Sequence, residues 1–216
     1  MNATFHDLKD ASVFITGGGN GIGAALTEGF LAQGARVAFV GRSDASAFAK
    51  AMGAKYGAEL LFIQCDITDT PALQSAIEQA CEAHGPLKVL VNNAANDMRY
   101  EALEIDEADW DKQQAINLKA YFFACQAAAK NMIPKGAIIN FSSITYMMGA
   151  AGMVPYVTAN AGIMGMTRAL AREWWPKGIR VNAIAPGWVF TEKQETMWAT
   201  PESKAAFLKK QCLQEF

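Results

Sequence analysis

Histidine is scarce in this chain. The two present, His6 and His84, stand far apart and lack metal-ligand spacing, so each reads as structural or surface and no metal site is expected. Cysteine is sparse as well. Cys65, Cys81, Cys125 and Cys212 are scattered without a C-x-x-C, which is the pattern of reduced, mostly buried thiols in a cytoplasmic protein. No apolar run reaches transmembrane length, and the opening MNATFHDLKD is polar rather than signal-like. The formal net charge of −2 provides no basic footprint for nucleic acid or an anionic membrane surface. Repeats, low-complexity linkers and breaks in composition are missing too. What is there is 216 residues, 51% hydrophobic and 19% charged, a balance that favours a compact globule over disorder. One domain over residues 1–216 is expected.

Short apolar runs alternate with helical periodicity. Strands are predicted at 11–16, 36–40, 59–64, 88–95, 137–141 and 178–185. Helices are predicted after the glycine turn at 17–23, from Ser43 or Asp44 as cap, from Thr70 as cap with Pro71 at the first helical position, across 107–132, and from Tyr156 onward. The tail from about 190 to 216 reads as helical and partly polar. This alternation argues for an α/β fold with a parallel sheet covered on both faces, whose ligands bind outside the carboxyl ends of the strands.

Each polar cluster falls at such a strand end. Thr16-Gly17-Gly18-Gly19-Asn20-Gly21-Ile22-Gly23 lies between a strand and a helix, where glycines let backbone approach a pyrophosphate at a helix N-terminus. At the end of strand two, Gly41 occupies the place where an NAD site has an acidic residue. Arg42 follows and could pair with a 2′-phosphate or sit as a solvated loop residue, so the reading favours NADP over NAD. After strand three, Asp66 could accept from an adenine amino group or merely form an Asx-turn. After strand four comes Asn92-Asn93-Ala94-Ala95, which would pass the cofactor or satisfy backbone groups. In the stretch from Ile138 to Arg168 a strand ends at Ser142-Ser143, a bend follows, and a helix opens with Pro155 and Tyr156. Residues 156 and 160 share one helix face.

Taken together, the Thr16–Gly23 turn, NNAA at 92–95, Asn117, Ser143, Tyr156, and Pro186-Gly187 with Val189 and Thr191 resemble the short-chain dehydrogenase/reductase family along the whole chain. The resemblance implies a single Rossmann domain and hydride transfer with a nicotinamide. It implies that Tyr156 is the general acid/base, that Ser143 bonds the reacting oxygen and that Asn117 holds a proton-relay water. Cofactor contacts would come from Gly17, Asn20, Gly21, Ile22, Gly23, Arg42, Asp66, Ile67, Asn93, Ala94, Tyr156, Asn160, Pro186, Gly187, Val189 and Thr191. A finer resemblance is to bacterial aldose 1-dehydrogenases. It rests on NNAAND at 92–97 with Arg99, and on PGWVFTEKQE at 186–195 with the later TPE and QCL. Asn96, Arg99 and Gln194 are then candidates to bond sugar hydroxyls, on substrate loops at about 95–106 and 187–216. A homo-oligomer is implied by analogy alone.

Two departures stand out. The family pattern is Tyr-x-x-x-Lys, and here Asn160 takes the Lys position. Asn160 could bond a ribose hydroxyl but brings no charge to favour the phenolate of Tyr156. Family members also usually continue through a further helix and a seventh strand, whereas this chain stops at Gln214-Glu215-Phe216. The expectation is therefore a sheet lacking its C-terminal strand, which weakens the oligomer analogy. Two functions remain open at this point: an NAD(P)-dependent dehydrogenase of a sugar or other secondary alcohol, or a catalytically silent nucleotide-binding member of the family.

Overall fold

The structure is a computed structural model that describes residues 3–213 and 215. The parts of the expected tail helix and substrate loop that fall on Gln214 and Phe216 lie outside the described residues, as do Met1 and Asn2 of the expected domain.

The six strands are β1 (Ser12–Thr16), β2 (Arg36–Gly41), β3 (Leu61–Gln64), β4 (Leu87–Asn92), β5 (Met132–Phe141) and β6 (Arg180–Ile184). The helices are α1 (Gly21–Ala32), α2 (Ser46–Tyr56), α3 (Thr70–His84), α4 (Glu107–Gln114), α5 (Ala120–Asn131), α6 (Thr145–Met148), α7 (Val154–Trp174), α8 (Glu192–Met197) and α9 (Pro201–Leu208). All strand pairs are parallel, in the order β3-β2-β1-β4-β5-β6. This is the parallel α/β sheet expected from the alternation and the single Rossmann-type domain implied by the resemblance. The order reverses between β1 and β4, so the binding crevice lies where their carboxyl ends diverge.

β1 is central, and all five of its residues, Ser-Val-Phe-Ile-Thr, are buried. Its alternating side chains serve both faces. Phe14 packs with Leu73, Ile77, Ala124, Leu170 and Trp174 of α3, α5 and α7. Val13 and Ile15 pack with Leu31 and Ala49 of α1 and α2 on the other side. Burying each such side chain contributes about 1.5–3 kcal/mol. The thiols of Cys65 and Cys125 lie in the first of these cores, and burial pushes them up to about 11 and about 12. Both therefore stay protonated and inert.

Helix boundaries differ from expectation in instructive ways. The cap of α3 is Asp69 rather than Thr70, because its carboxylate is the group that accepts from the Ala72 amide at 3.0 Å. Asp44 does accept from the Ser46 amide, but one residue outside the Ala45 cap position. The expected long helix over 107–132 is three pieces, α4, a π turn at Ala115–Lys119, and α5. A π turn re-aims the side chains it carries, and this one carries Asn117. β5 begins at Met132, ahead of the expected Ala137, through a register shift opposite Leu87 and Val89.

Candidate active site

The glycine turn sits at the β1–β4 divergence. Gly17 has φ +69°, and a Cβ there would stand 3.0 Å from Ala94. A Cβ on Gly23 would collide with the Gly17 carbonyl and stand 2.7 Å from Asn93 Nδ2, so position 23 has no room for a side chain. Neighbouring polar groups hold this shape. Thr16 Oγ1 accepts from the amides of Asn93 and Ala94 at 3.0 and 3.1 Å. Asn93 Nδ2 donates to the carbonyls of Thr16 and Gly17 at 3.1 and 3.2 Å. Thr27 Oγ1 donates to the Gly18 carbonyl at 2.9 Å. The Asn93 amide thus braces the turn. The result is a tight backbone cradle at the N-terminus of a twelve-residue helix, a fit for a pyrophosphate.

Gly21 and Thr191 also meet, since a Cβ on Gly21 would lie 3.1 Å from the Thr191 methyl. A groove of about 550 Å³ runs along this contact, lined by Gly21, Ile22, Phe141, Pro186, Val189 and Thr191 among others. Gly187 lines a second groove, of about 370 Å³, with Ile144, Met148, Trp188 and Phe207. Arg42 and Asp66 lie apart from these, at the ends of β2 and β3. Asp66 Oδ1 accepts from the amide and hydroxyl of Thr68, forming the Asx-turn. The Thr68 amide, working against burial, joins the Thr68 hydroxyl and the Arg42 charge in lowering the Asp66 carboxyl. Ile67 is buried in the core, which leaves only its backbone to face a ligand.

At the end of β5, Ser142 is tied to β6 by its amide on the Ile184 carbonyl at 2.7 Å, and to α7 by its hydroxyl on the Asn160 carbonyl at 3.1 Å. Ser143 Oγ accepts from the amide and hydroxyl of Thr145 at 3.2 and 3.0 Å, which leaves its own proton to donate. Tyr156 is set by Pro155, buried in the first turn of α7, whose carbonyl accepts from Gln114 Nε2 of α4 at 2.9 Å. Burial pushes the Tyr156 phenol above its usual value, and the charge of Asp97 pushes it further. The side chains of Ser143 and Asn160 act the other way without reversing the shift.

Asn160 is 2% exposed, and its Nδ2 donates to the Tyr156 carbonyl one turn back, at 2.9 Å. One N–H of its amide is thus spent on its own helix. The side chain of Asn117 is likewise engaged. It accepts from the Asn96 amide at 2.8 Å and donates to the Asn96 carbonyl at 2.9 Å and to Gln113 Oε1 at 3.0 Å. The π turn thus clamps the loop after β4 through its main chain.

Beyond that clamp the loop meets the segment after β6. Asp97, absent from the sequence-derived site residues, accepts from Lys193 Nζ at 2.5 Å and from Gln194 Nε2 at 2.6 Å. Gln194 Oε1 in turn accepts from Trp188 Nε1 at 2.8 Å. Arg99 does not join this group; its guanidinium lies 4.1 Å over the Trp198 ring. Burial pushes the Asp97 carboxyl up, but Lys193 and Gln194 hold it below its usual range. Asp97 belongs to the quoted NNAAND run, and that adjacency to Asn96 was the available signal. Among the described residues, no cluster of His, Cys, Asp and Glu could hold a metal, and no helix is long and apolar enough to cross a membrane.

A parallel sheet with a glycine cradle at its switch point, and a serine and tyrosine converging beside it, defines a nucleotide-dependent oxidoreductase. Residues 11–202 match the family model for the short chain dehydrogenases, and the chain belongs to that NAD(P)-dependent family. It is 44% identical over 216 residues to the probable galactose dehydrogenase of Rhizobium meliloti, covering 98% of this chain and 84% of that one. It is 42% identical over 217 residues to a D-xylose 1-dehydrogenase of Caulobacter vibrioides, covering 98% and 85%. Among solved structures it is similar to a short chain dehydrogenase of Burkholderia cenocepacia in complex with NADP. The TM-score is 0.90 at 30% identity, with 97% of this chain and 85% of that one covered.

Proposed function

We propose that this chain oxidises free aldoses at the anomeric carbon, with Tyr156 as the base. The observation that carries the reading is that the carboxyl edge of the sheet holds the glycine cradle fastened to Asn93 and Ala94, the following loop clamped at Asn96 by Asn117, Ser143 after β5 and Tyr156 at the start of α7, in a chain whose relatives include a named D-xylose 1-dehydrogenase. A bound nicotinamide supplies the hydride acceptor. Gly17, Asn20, Gly21, Ile22, Gly23 and Ala94 hold the cofactor through backbone, with Asn93 bracing them, and Pro186, Gly187, Val189 and Thr191 line its far end. Ser143 donates its free proton to the substrate oxygen and fixes it against Tyr156. Tyr156 then takes the hydroxyl proton as the carbon–hydrogen bond breaks. Asn117 keeps the loop after β4 in place, and its helix supplies the site for a relay water.

NADP is the cofactor this reading favours. Gly41 brings no carboxylate to the 2′ position, and exposed Arg42 stands beside it. The test incubates the protein with NAD or NADP and a panel including D-galactose and D-xylose at pH 7 and pH 10, following reduced-cofactor absorbance. Turnover that rises with pH and is lost in Tyr156→Phe supports the reading. A second reading is favoured by Asn160, an uncharged side chain bonded to its own helix at the position of the family's lysine: a silent, nucleotide-binding member. Cofactor binding without turnover at either pH would establish that alternative.

A further inference from the structure

We propose that Asp97 is the hydroxyl-recognition centre of the site. Its carboxylate accepts from a hydroxyl of a polyhydroxylated substrate away from the reacting carbon, and Lys193 and Gln194 donate to that hydroxyl and its vicinal neighbour. The proposal rests on the sugar-dehydrogenase reading and names the residues that give it its substrate class.

Capacity comes first. A carboxylate offers about four acceptor positions. Lys193 occupies one on Oδ1, Gln194 one on Oδ2 and the Asp97 backbone amide a third, so one acceptor position stays free. The lysine ammonium has three donors and spends one here. A free acceptor flanked by spare donors on both sides is the chemistry that vicinal hydroxyls need, since each hydroxyl both donates and accepts. A simple alcohol has nothing to offer it.

Position comes second. The Asp97 side chain is 20% exposed and that of Lys193 45%, so the group is open along one edge without rearrangement. It is not a free surface carboxylate: the charge of Asp97 reaches the Tyr156 phenol. Asn117 fixes the adjoining peptide at Asn96, and Trp188 fixes Gln194, so both sides of the group are preorganised. Trp188, which fixes Gln194, also lines a groove with Ile144, the residue after Ser143, so the group stands at the same carboxyl edge of the sheet as the reacting pair.

The competing account is a clasp that only joins two loops. Calorimetric titration separates the two, using protein saturated with the reduced form of whichever of NAD and NADP it binds, so that the sugar binds without being oxidised. The probes are D-galactose and its 2-, 3-, 4- and 6-deoxy forms, against wild type and Asp97→Asn. In wild type, at least one deoxy form should bind on the order of tenfold more weakly. Asp97→Asn should weaken D-galactose by a similar factor, and the penalty for that same deoxy form should vanish. A clasp would weaken every sugar alike and leave the deoxy penalty intact. That pattern, unchanged affinity in the variant, or no sugar binding by wild type would overturn the proposal. Lys193→Met, at a half-exposed position, repeats the cycle should Asp97→Asn not fold. Turnover by the same proteins with the oxidised cofactor tests the function separately. Asp97-dependent sugar binding without turnover at pH 10 would sink the oxidation reading and leave this one standing.

Discussion

A tyrosine works as a base only in its phenolate form, and an unperturbed phenol titrates near ~10. Two features of this chain move Tyr156 further from neutrality: burial, and the nearby Asp97 charge. The position that brings a cation in the family pattern holds Asn160, whose amide is turned onto the Tyr156 carbonyl. The sign follows directly. A raised pKa means less phenolate at any working pH, so oxidation should climb with pH, about tenfold per unit while the pH stays below that pKa. Asn160→Lys should lower the phenol's pKa and raise the rate at pH 7 on the order of 10-fold, a gain that shrinks only once the pH passes the variant's own pKa. A pH–rate profile of both proteins checks this, with a thermal melt to detect the lost helix-carbonyl bond, which is worth about 1 kcal/mol. An unchanged profile would sink the account of the missing cation. Asp97→Asn should move the same profile toward lower pH, because it removes the second cause of the shift.

At the scale of elements, the site depends on how β1 is fastened to β4. Thr16 is 1% exposed, and its hydroxyl takes the amides of both Asn93 and Ala94. Thr16→Val keeps the β-branched shape and leaves those two donors without an acceptor, a cost of about 1–3 kcal/mol. The urea midpoint should fall with an unchanged slope, and cofactor affinity should weaken as the turn slackens, read by fluorescence titration. Unchanged values would show that the turn holds itself. The run from β1 through the glycine turn into α1 was legible in the sequence because it is local: a β-branched run, glycines, then helical periodicity; the Thr16 fastening to Asn93 and Ala94 was not, because its partners lie far along the chain. The strand–helix alternation and the parallel sheet were legible for the same reason. The π turn was not, since Ala115–Lys119 carries the same helical periodicity as its flanks, and only the pull of Asn117 on the Asn96 peptide distinguishes it. Asp69 was passed over for Thr70 because both are good caps one residue apart, and the choice rests on which oxygen reaches the Ala72 amide. The group at Asp97 escaped for a different reason. Its partners, Lys193 and Gln194, come from beyond β6, and no spacing rule links a loop after β4 to a helix after β6. Arg99, a substrate candidate through the resemblance, lies over the Trp198 ring, a contact that the sequence did not signal.

Across the whole molecule, the carboxyl edge of the sheet carries the candidate chemistry while a different titrating group sits at the amino edge. His84 ends α3 just before β4, near Arg36 at the start of β2. It is 4% exposed, and among the described residues its Nδ1 has no hydrogen-bond partner. Burial lowers its pKa, and the Arg36 charge lowers it further against a weaker pull from Glu59. The fold therefore holds this imidazole neutral, whereas in the unfolded chain it titrates near ~6.5. Below that pH the unfolded state takes up a proton that the folded state refuses, so stability is full above ~6.5 and is lost as pH falls toward the lowered folded value. The carboxylates with lowered values, Asp44, Asp66 and Asp97 among them, contribute the same sign of loss only further down, below ~4. The two windows can thus be resolved. Urea midpoints should drop between pH 7 and pH 5 in the wild-type protein, and His84→Leu, which cannot titrate, should flatten that drop while keeping the steeper loss below pH 4. An equal slope in both proteins over pH 7 to 5 would remove His84 from the account. Because Tyr156 and His84 lie at opposite edges of the sheet, His84→Leu should also leave the alkaline rise of the rate where it was.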